Sequence, residues 1–195
     1  MPERDAERTR RAILAAAEDL FARDGFERTS MQRIGEAAGV ARSTPAYFFR
    51  SKQALYDDVL RRTLERGREA MRPAFEAAAA TDSAEEALDG IIGRFLDFLA
   101  GDRNYVLLMQ REALAERPSL ATVLDEEALE ESRRALVDAL GNGDVDHVIL
   151  ELFALSWFPF AHSGTLVAAL GFDARDPAFL KHHRERIVRL FAGPP

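Results

Sequence analysis

The sequence predicts an all-α protein in two parts, and three observations carry that prediction. Nearly every segment repeats its apolar residues at the 3.6-residue helical period, none sustains a period of two, and the segments are separated by Gly, Pro, Asn and Asp clusters of the turn-forming kind. With 195 residues, 47% apolar and 30% charged, the chain is near the globular average and by size buries roughly 70% of its unfolded surface. Global disorder is excluded, and no parallel sheet is available to build a nucleotide fold.

The first helix is expected over 9–23, where Ile13, Ala17, Leu20 and Phe21 share one stripe and Arg10, Arg11, Glu18 and Asp19 fall elsewhere. Asp24-Gly25 ends it, with Gly25 able to take a positive φ and Phe26 folding back as the apolar contact of the cap. The second helix opens on Thr29-Ser30-Met31-Gln32. This reads as a capping box in which the Thr29 hydroxyl and the Gln32 amide satisfy each other's backbone N–H groups. Met31, Ile34 and Ala38 then face inward, and Ala37-Ala38-Gly39-Val40 makes a tight break. A short third helix runs to about Phe49, and Ser51 caps a fourth that carries Leu55, Tyr56, Val59, Leu60 and Leu64. Further helices are expected over 83–100, 104–116, 119–140, 144–169 and 177–192. Their breaks fall at Gly101-Asp102, at Arg117-Pro118, at Gly141-Asn142-Gly143-Asp144 and between Gly171 and Pro177.

Composition excludes several function classes. The chain has no cysteine, which removes disulfide scaffolds, thiol catalysis, iron–sulfur clusters and Cys-ligated zinc. His182 and His183 are adjacent on a helix, so they point apart and do not make a metal site. There is no metal-ligand cluster, phosphate loop or Ser/His/Asp arrangement, so neither enzymatic activity nor a cofactor is expected. The first residues are charged and lack an apolar signal core, and the longest apolar stretch, 152–161, is half of what a membrane span needs. A cytoplasmic protein with no membrane partner is the expectation.

Net charge is −7, which taken whole disfavours a phosphate-rich partner. The distribution reverses that for one end: residues 1–52 hold ten Arg and Lys against eight Asp and Glu, whereas the remainder holds 16 against 25. The boundary is therefore drawn between a domain at 1–52 and a larger one at 53–195, facing different partners.

Residues 31–49 have helix-turn-helix spacing. Ile34 faces inward, Gly35 lies where two helices cross, Gly39 forms the turn, and Val40, Phe48 and Phe49 follow. An ordinary pair of short bundle helices would show the same spacing. The longer stretch from Arg10 to Leu60, above all LFARDGFERTS, IGEAAGV and YFFRSKQALY, resembles the N-terminal DNA-binding domain of the tetracycline-repressor (TetR) family of bacterial regulators.

That resemblance implies a third helix in the major groove of a double-stranded DNA operator. Arg42 is the candidate for bidentate guanine readout, Ser43 and Thr44 reach a base edge or phosphate, and Tyr47 and Phe48 follow on the same face. Lys52, at the start of the fourth helix, is placed for a phosphate, and Thr29, Ser30 and Arg33 for the DNA backbone. Two departures bear on readout. Pro45 stands where relatives usually carry leucine, and Ala46 where a larger aromatic is common. Ser43 and Thr44 are good caps, Ala41 is a poor one, and proline is tolerated only in the first turn, so the third helix is expected to start late, at 43 or 44. The same departures keep open an alternative, a helical interaction module with lost or altered DNA binding.

The rest of the chain matches the family's general plan, an all-helical domain that dimerises and holds an effector. The helix from Val145 is apolar almost all round, which demands burial on two sides, one of them most simply a second subunit joined through this helix and the last one. A homodimer would present two recognition helices to the half-sites of a palindrome. Phe75, Phe95, Phe98, Tyr105, Met109, Trp157 and Phe160 either line a cavity for a small apolar effector or are plain core, with Glu151, His162 and Ser163 as sparse polar groups. Pro159 is expected to kink or break its helix. Repression relieved by the effector is the action the family implies.

Overall fold

The computed structural model describes residues 3–115, 119–123, 126–140 and 144–192, and no strand occurs among them. The helices are α1 (Glu3–Asp24), α2 (Met31–Ala37), α3 (Thr44–Phe48), α4 (Lys52–Ala78), α5 (Ala84–Gly101), α6 (Arg103–Ala113), α7 (Leu120–Val123), α8 (Glu126–Leu140), α9 (Val145–Ala161) and α10 (Pro177–Ala192). A π-helical turn at Ser163–Val167 follows α9. The expected breaks at Arg117-Pro118 and Gly141-Asn142-Gly143 lie outside the described residues. The chain forms two compact units, one of residues 1–65 with 107–124, the other of 66–106 with 125–195. The boundary expected between 52 and 53 falls inside α4, whose first residues through Glu65 belong to the first unit.

In the first unit the predicted stripe of α1 is buried: Ile13, Ala17, Leu20 and Phe21, with Leu14 beside them. The helix begins six residues earlier than its apolar pattern, because residues 4–8 are charged except for Ala6 and none of them is buried, so periodicity is silent there. Gly25 takes φ +85° as expected. Phe26 stacks on Phe21 at 5.9 Å, and both rings meet Tyr56, at 5.1 and 4.9 Å. The open carbonyls of α1 are closed from α6. Arg111 donates from Nε to Ala22 O at 2.8 Å and from Nη2 to Arg23 O at 2.6 Å, placing a cation on the negative end of the helix. The missing side chain at Gly25 leaves the room, since a Cβ there would lie 2.9 Å from Arg111 Nη1.

The next residue, Glu112, is buried. Its Oε1 accepts the Tyr56 hydroxyl at 2.7 Å and its Oε2 accepts the Leu120 N–H at 2.7 Å, so one carboxylate joins α4, α6 and the start of α7. Burial, then the bond to Glu112, pushes the Tyr56 phenol well above its ordinary range. Ser119 beside it accepts from Gln53 Nε2 at 2.8 Å. Of the helix expected over 119–140 the structure describes α7 and α8, residues 124 and 125 lying outside the described residues, and the leading N–H of α7 is held by Glu112.

In the second unit α5 buries Leu88, Ile91, Ile92, Leu96 and Leu99, and Ser83 caps it by accepting the Glu86 N–H at 3.2 Å. It packs along α10 through Ile187 and Val188, which are buried within the unit rather than free for a second subunit. At Gly93 an added Cβ would come within 2.5 Å of the Arg184 guanidinium, which crosses there to pair with Asp89.

The helix expected over 144–169 ends at Ala161. Pro159 sits inside its last turn and cannot donate back to the Leu155 carbonyl. That carbonyl is satisfied from α10 instead, by the His183 ring at 2.9 Å. A carbonyl only accepts, so Nε2 of His183 carries the proton. The ring is further held by stacking on Phe179 at 5.3 Å, and its neighbour His182 is exposed, as adjacency on a helix requires.

Two substitutions test this construction. Glu112→Ala strands the buried Tyr56 hydroxyl and the half-buried Leu120 N–H and is expected to cost about 2–4 kcal/mol, with Glu112→Gln costing less because one acceptor oxygen remains; urea unfolding at fixed protein concentration measures both. His183→Leu removes the donor to Leu155 and is expected to cost about 1–2 kcal/mol, most of it recovered in a glutamine variant. Equal midpoints for the leucine and glutamine proteins in the same assay would count against the hydrogen bond.

Candidate nucleic-acid interface

The turn between α2 and α3 follows from two glycines. Ala38 ends α2, Gly39 takes φ +69°, and the N–H groups of Gly39 and Val40 bond back to Glu36 O at 3.1 Å and Gly35 O at 3.0 Å. This is the paired bonding of a Schellman cap, which needs the left-handed residue that glycine supplies. At Gly35 a Cβ would lie 3.0 Å from Ala41 O, 3.2 Å from the Arg42 Cα and 3.2 Å from the Pro45 ring. Even alanine there forces the crossing apart, a tighter limit than the spacing alone implies.

Helix α3 starts late, as expected, at Thr44 after Ser43, with Pro45 in its first turn. The Ser43 hydroxyl does not cap it, but Thr44 N–H is held by Ala41 O at 2.8 Å. Proline costs no hydrogen bond there because first-turn N–H groups have no helical acceptor. Its ring is buried, filling the place expected of an apolar side chain. Phe49 is also buried, beneath the Arg10 guanidinium at 5.2 Å. Buried Pro45 and Phe49 turn the intervening residues outward. Ala46 is exposed, the Tyr47 side chain is 87% exposed, and Phe48 is half-buried with its ring 5.4 Å from that of Tyr47. Ahead of the helix Ser43 is exposed and Thr44 half-buried, and the Arg42 side chain is 72% exposed with its Nε 2.5 Å from Glu36 Oε1.

The remaining expected contacts differ among themselves. Ser30 is exposed and caps α2, accepting the Arg33 N–H at 3.3 Å. Thr29, read as the cap and as a backbone contact, is instead buried. Its hydroxyl donates to Gly25 O at 2.8 Å, because Ser30 is the residue with extended φ and ψ before the helix, and its side chain is therefore not presented to a partner. Arg33 is exposed but committed within the unit, to Arg28 O at 2.9 Å and Asp24 Oδ2 at 2.8 Å. The hydrogen bond from Arg23, with that from Arg33, holds the Asp24 carboxyl at about 2, so it stays ionised and keeps both partners at any neutral pH. Lys52 places Nζ 2.9 Å from Phe26 O and 4.1 Å above the Phe26 ring, which engages one of its three donors. Glu36, on the same surface as Arg42, carried no sequence signal beyond its charge.

In the second unit, four of the expected effector residues come together. Phe95 meets Phe153 at 5.8 Å, Phe153 stacks on Trp157 at 5.3 Å, Trp157 meets Tyr105 at 6.2 Å, and Tyr105 meets Phe98 at 4.8 Å. Phe153, on the apolar helix α9, is the link in this chain. Gly67 of α4 makes room for it, since a Cβ there would lie 3.1 Å from the Tyr105 ring. Burial raises the Tyr105 phenol to about 12. The other expected residues lie outside the ring chain. Phe160 is buried, Phe75 is half-buried, His162 packs on Phe158 at 4.3 Å, and Met109 is buried in the first unit. Glu151 is exposed rather than turned inward. Among the described residues no cluster of three potential metal ligands occurs, and no helix is long and apolar enough to cross a membrane.

Residues 13–59 match the family model for bacterial regulatory proteins of the tetR family. The chain is 29% identical to the HTH-type transcriptional regulator RutR of Escherichia coli K12 over 189 residues, covering 93% of this chain and 87% of that protein. Among solved structures, a TetR-family transcriptional regulator from Mesorhizobium loti superposes with a TM-score of 0.73 at 22% identity, covering 95% of each chain. The transcriptional regulator FadR of Bacillus subtilis, solved in complex with stearoyl-CoA, superposes with a TM-score of 0.67 at 20% identity, covering 91% of this chain and 96% of that one. The matched residues are the ones that build the glycine turn and its exposed edge, so residues 13–59 carry the DNA-binding domain of the tetR family of bacterial regulatory proteins, and the likeness to RutR extends over nearly the whole length.

Proposed function

We propose that the protein is a dimeric, effector-responsive repressor, cytoplasmic and without enzymatic activity, that reads a palindromic operator through Arg42, Ser43 and Thr44. The observation that carries this reading is the exposed edge from Arg42 to Tyr47, held outward by buried Pro45 and Phe49. Arg42 is the base reader, since a guanidinium bonds guanine O6 and N7 together. Tyr47, Ser30 and the free donors of Lys52 meet phosphates, Arg33 adds charge there, and Phe48 offers an apolar edge beside Tyr47.

Dimerisation through α9 and α10 is supported by the apolar side chains each leaves in water. Leu150 is 64% and Leu190 68% exposed, with Phe153 and Phe158 also exposed on α9. Large apolar side chains left in water on both helices are what an association site supplies. A small apolar effector is supported by the linked rings of Phe95, Phe98, Tyr105, Phe153 and Trp157, and by the stearoyl-CoA held by the FadR relative. An effector acts by favouring a subunit arrangement whose recognition helices no longer fit the groove spacing.

The direct test is fluorescence anisotropy on the duplex flanking the protein's own gene and on a shuffled duplex. Specific binding should weaken steeply as salt rises, and Arg42→Ala should weaken it by roughly 10- to 100-fold while the shuffled duplex changes little. Loss of preference in neither case would remove Arg42 from base readout. In sedimentation, the double variant Leu150→Glu, Leu190→Glu is expected to run as a monomer and to lose operator binding with the dimer; a dimeric double variant would place the subunit interface elsewhere.

A further inference from the structure

Glu36 is out of place on electrostatic grounds. It lies in the last turn of α2, where the helix end is already negative, and on the surface that carries Arg42, where a carboxylate repels phosphate. Both costs have one visible counterpart, the contact between Glu36 Oε1 and Arg42 Nε at 2.5 Å. Among the described residues Arg42 has no other side-chain partner. It precedes α3 in the turn after Gly39, and its side chain is 72% exposed. A long side chain in that setting samples many rotamers, and ordering them on binding costs free energy.

We infer that Glu36 is a positioning residue for base readout. By engaging Arg42 at Nε, it leaves the two Nη groups as a fork for guanine O6 and N7, and it trades general phosphate attraction for discrimination at that one base. The inference rests on the assignment of base readout to Arg42. An exposed ion pair is weak in water, worth about 0–1 kcal/mol. It strengthens when the groove closes over it and water is excluded, so its effect falls on the specific complex more than on the free protein.

The test uses the full-length protein, a duplex enriched from a random library by that protein, and the same duplex with 7-deazaguanine, which lacks N7, at each guanine in turn. Wild-type protein is expected to lose roughly 5- to 50-fold in affinity at one guanine per half-site. Arg42→Ala, which removes every donor at that position, should abolish that difference. Glu36→Gln should bind a shuffled duplex severalfold more tightly and discriminate guanine from 7-deazaguanine severalfold less. In the Arg42→Ala background the glutamine change should leave discrimination untouched, which a merely structural role for Glu36 would not produce. Undiminished discrimination in Glu36→Gln, with Arg42→Ala showing the loss, overturns the positioning role and leaves the readout assignment intact. Unchanged discrimination in Arg42→Ala overturns both.

Discussion

Tyr56 is the side chain on which the first unit depends. Its ring packs edge-on against Phe21 at the end of α1 and against Phe26 in the following turn, and its hydroxyl reaches the buried Glu112 carboxylate. Apolar packing and a charge-assisted hydrogen bond thus operate from opposite ends of one residue, as an aromatic with a polar tip allows. The position of α4 relative to α1 follows from the ring, and the attachment of α6 and α7 follows from the hydroxyl. The Phe26 ring also carries Lys52 on its other contact, so the start of α4 is fixed by the same cluster.

Much of this was legible in the sequence because it is local. The stripe of α1, the glycine turns at 25 and 39, the late start of α3 at Pro45 and the capping of α4 each depend on residues within one or two helical turns. What was not legible depends on distant partners. Thr29 reads as a cap by type and spacing, yet the carbonyls of Leu20 and Gly25 draw its hydroxyl inward and Ser30 takes the capping place. The end of α9 at Ala161 could be guessed from Pro159, but not that His183 would take the carbonyl that proline leaves free. Of the candidate DNA contacts, the exposed edge at Arg42 and Tyr47 follows from apolar patterning, while the internal commitments of Arg33 and Lys52 do not. The effector residues were the least legible, because an aromatic on a helix reads alike whether it lines a cavity or fills a core.

The two departures from the family pattern have a common physical result. Pro45 sits in the first turn of α3, Thr44–Phe48, and supplies the buried contact that an apolar side chain would make, while Ala46 leaves little bulk on its exposed side. Arg42, Ser43 and Tyr47 are therefore presented with little between them. In the proposed reading, a short helix beside an arginine on a turn divides the work of recognition: the helix would set distance from the groove, and the turn would set chemistry.

Arg111 and Glu112 close the end of α1 and the hydroxyl of Tyr56 from some 60 to 90 positions further along the chain. Seen from the ribosome, the amino-terminal helices emerge long before the residues that complete them. Until α6 has been synthesised, the nascent domain carries carbonyls at Ala22 and Arg23 that only water can satisfy and a tyrosine hydroxyl without its acceptor. The N-terminal segment is consequently not an independent module appended to a regulatory body. Its final stability is acquired late in translation, and a variant that weakens α6 should reveal itself first as poor yield of folded protein.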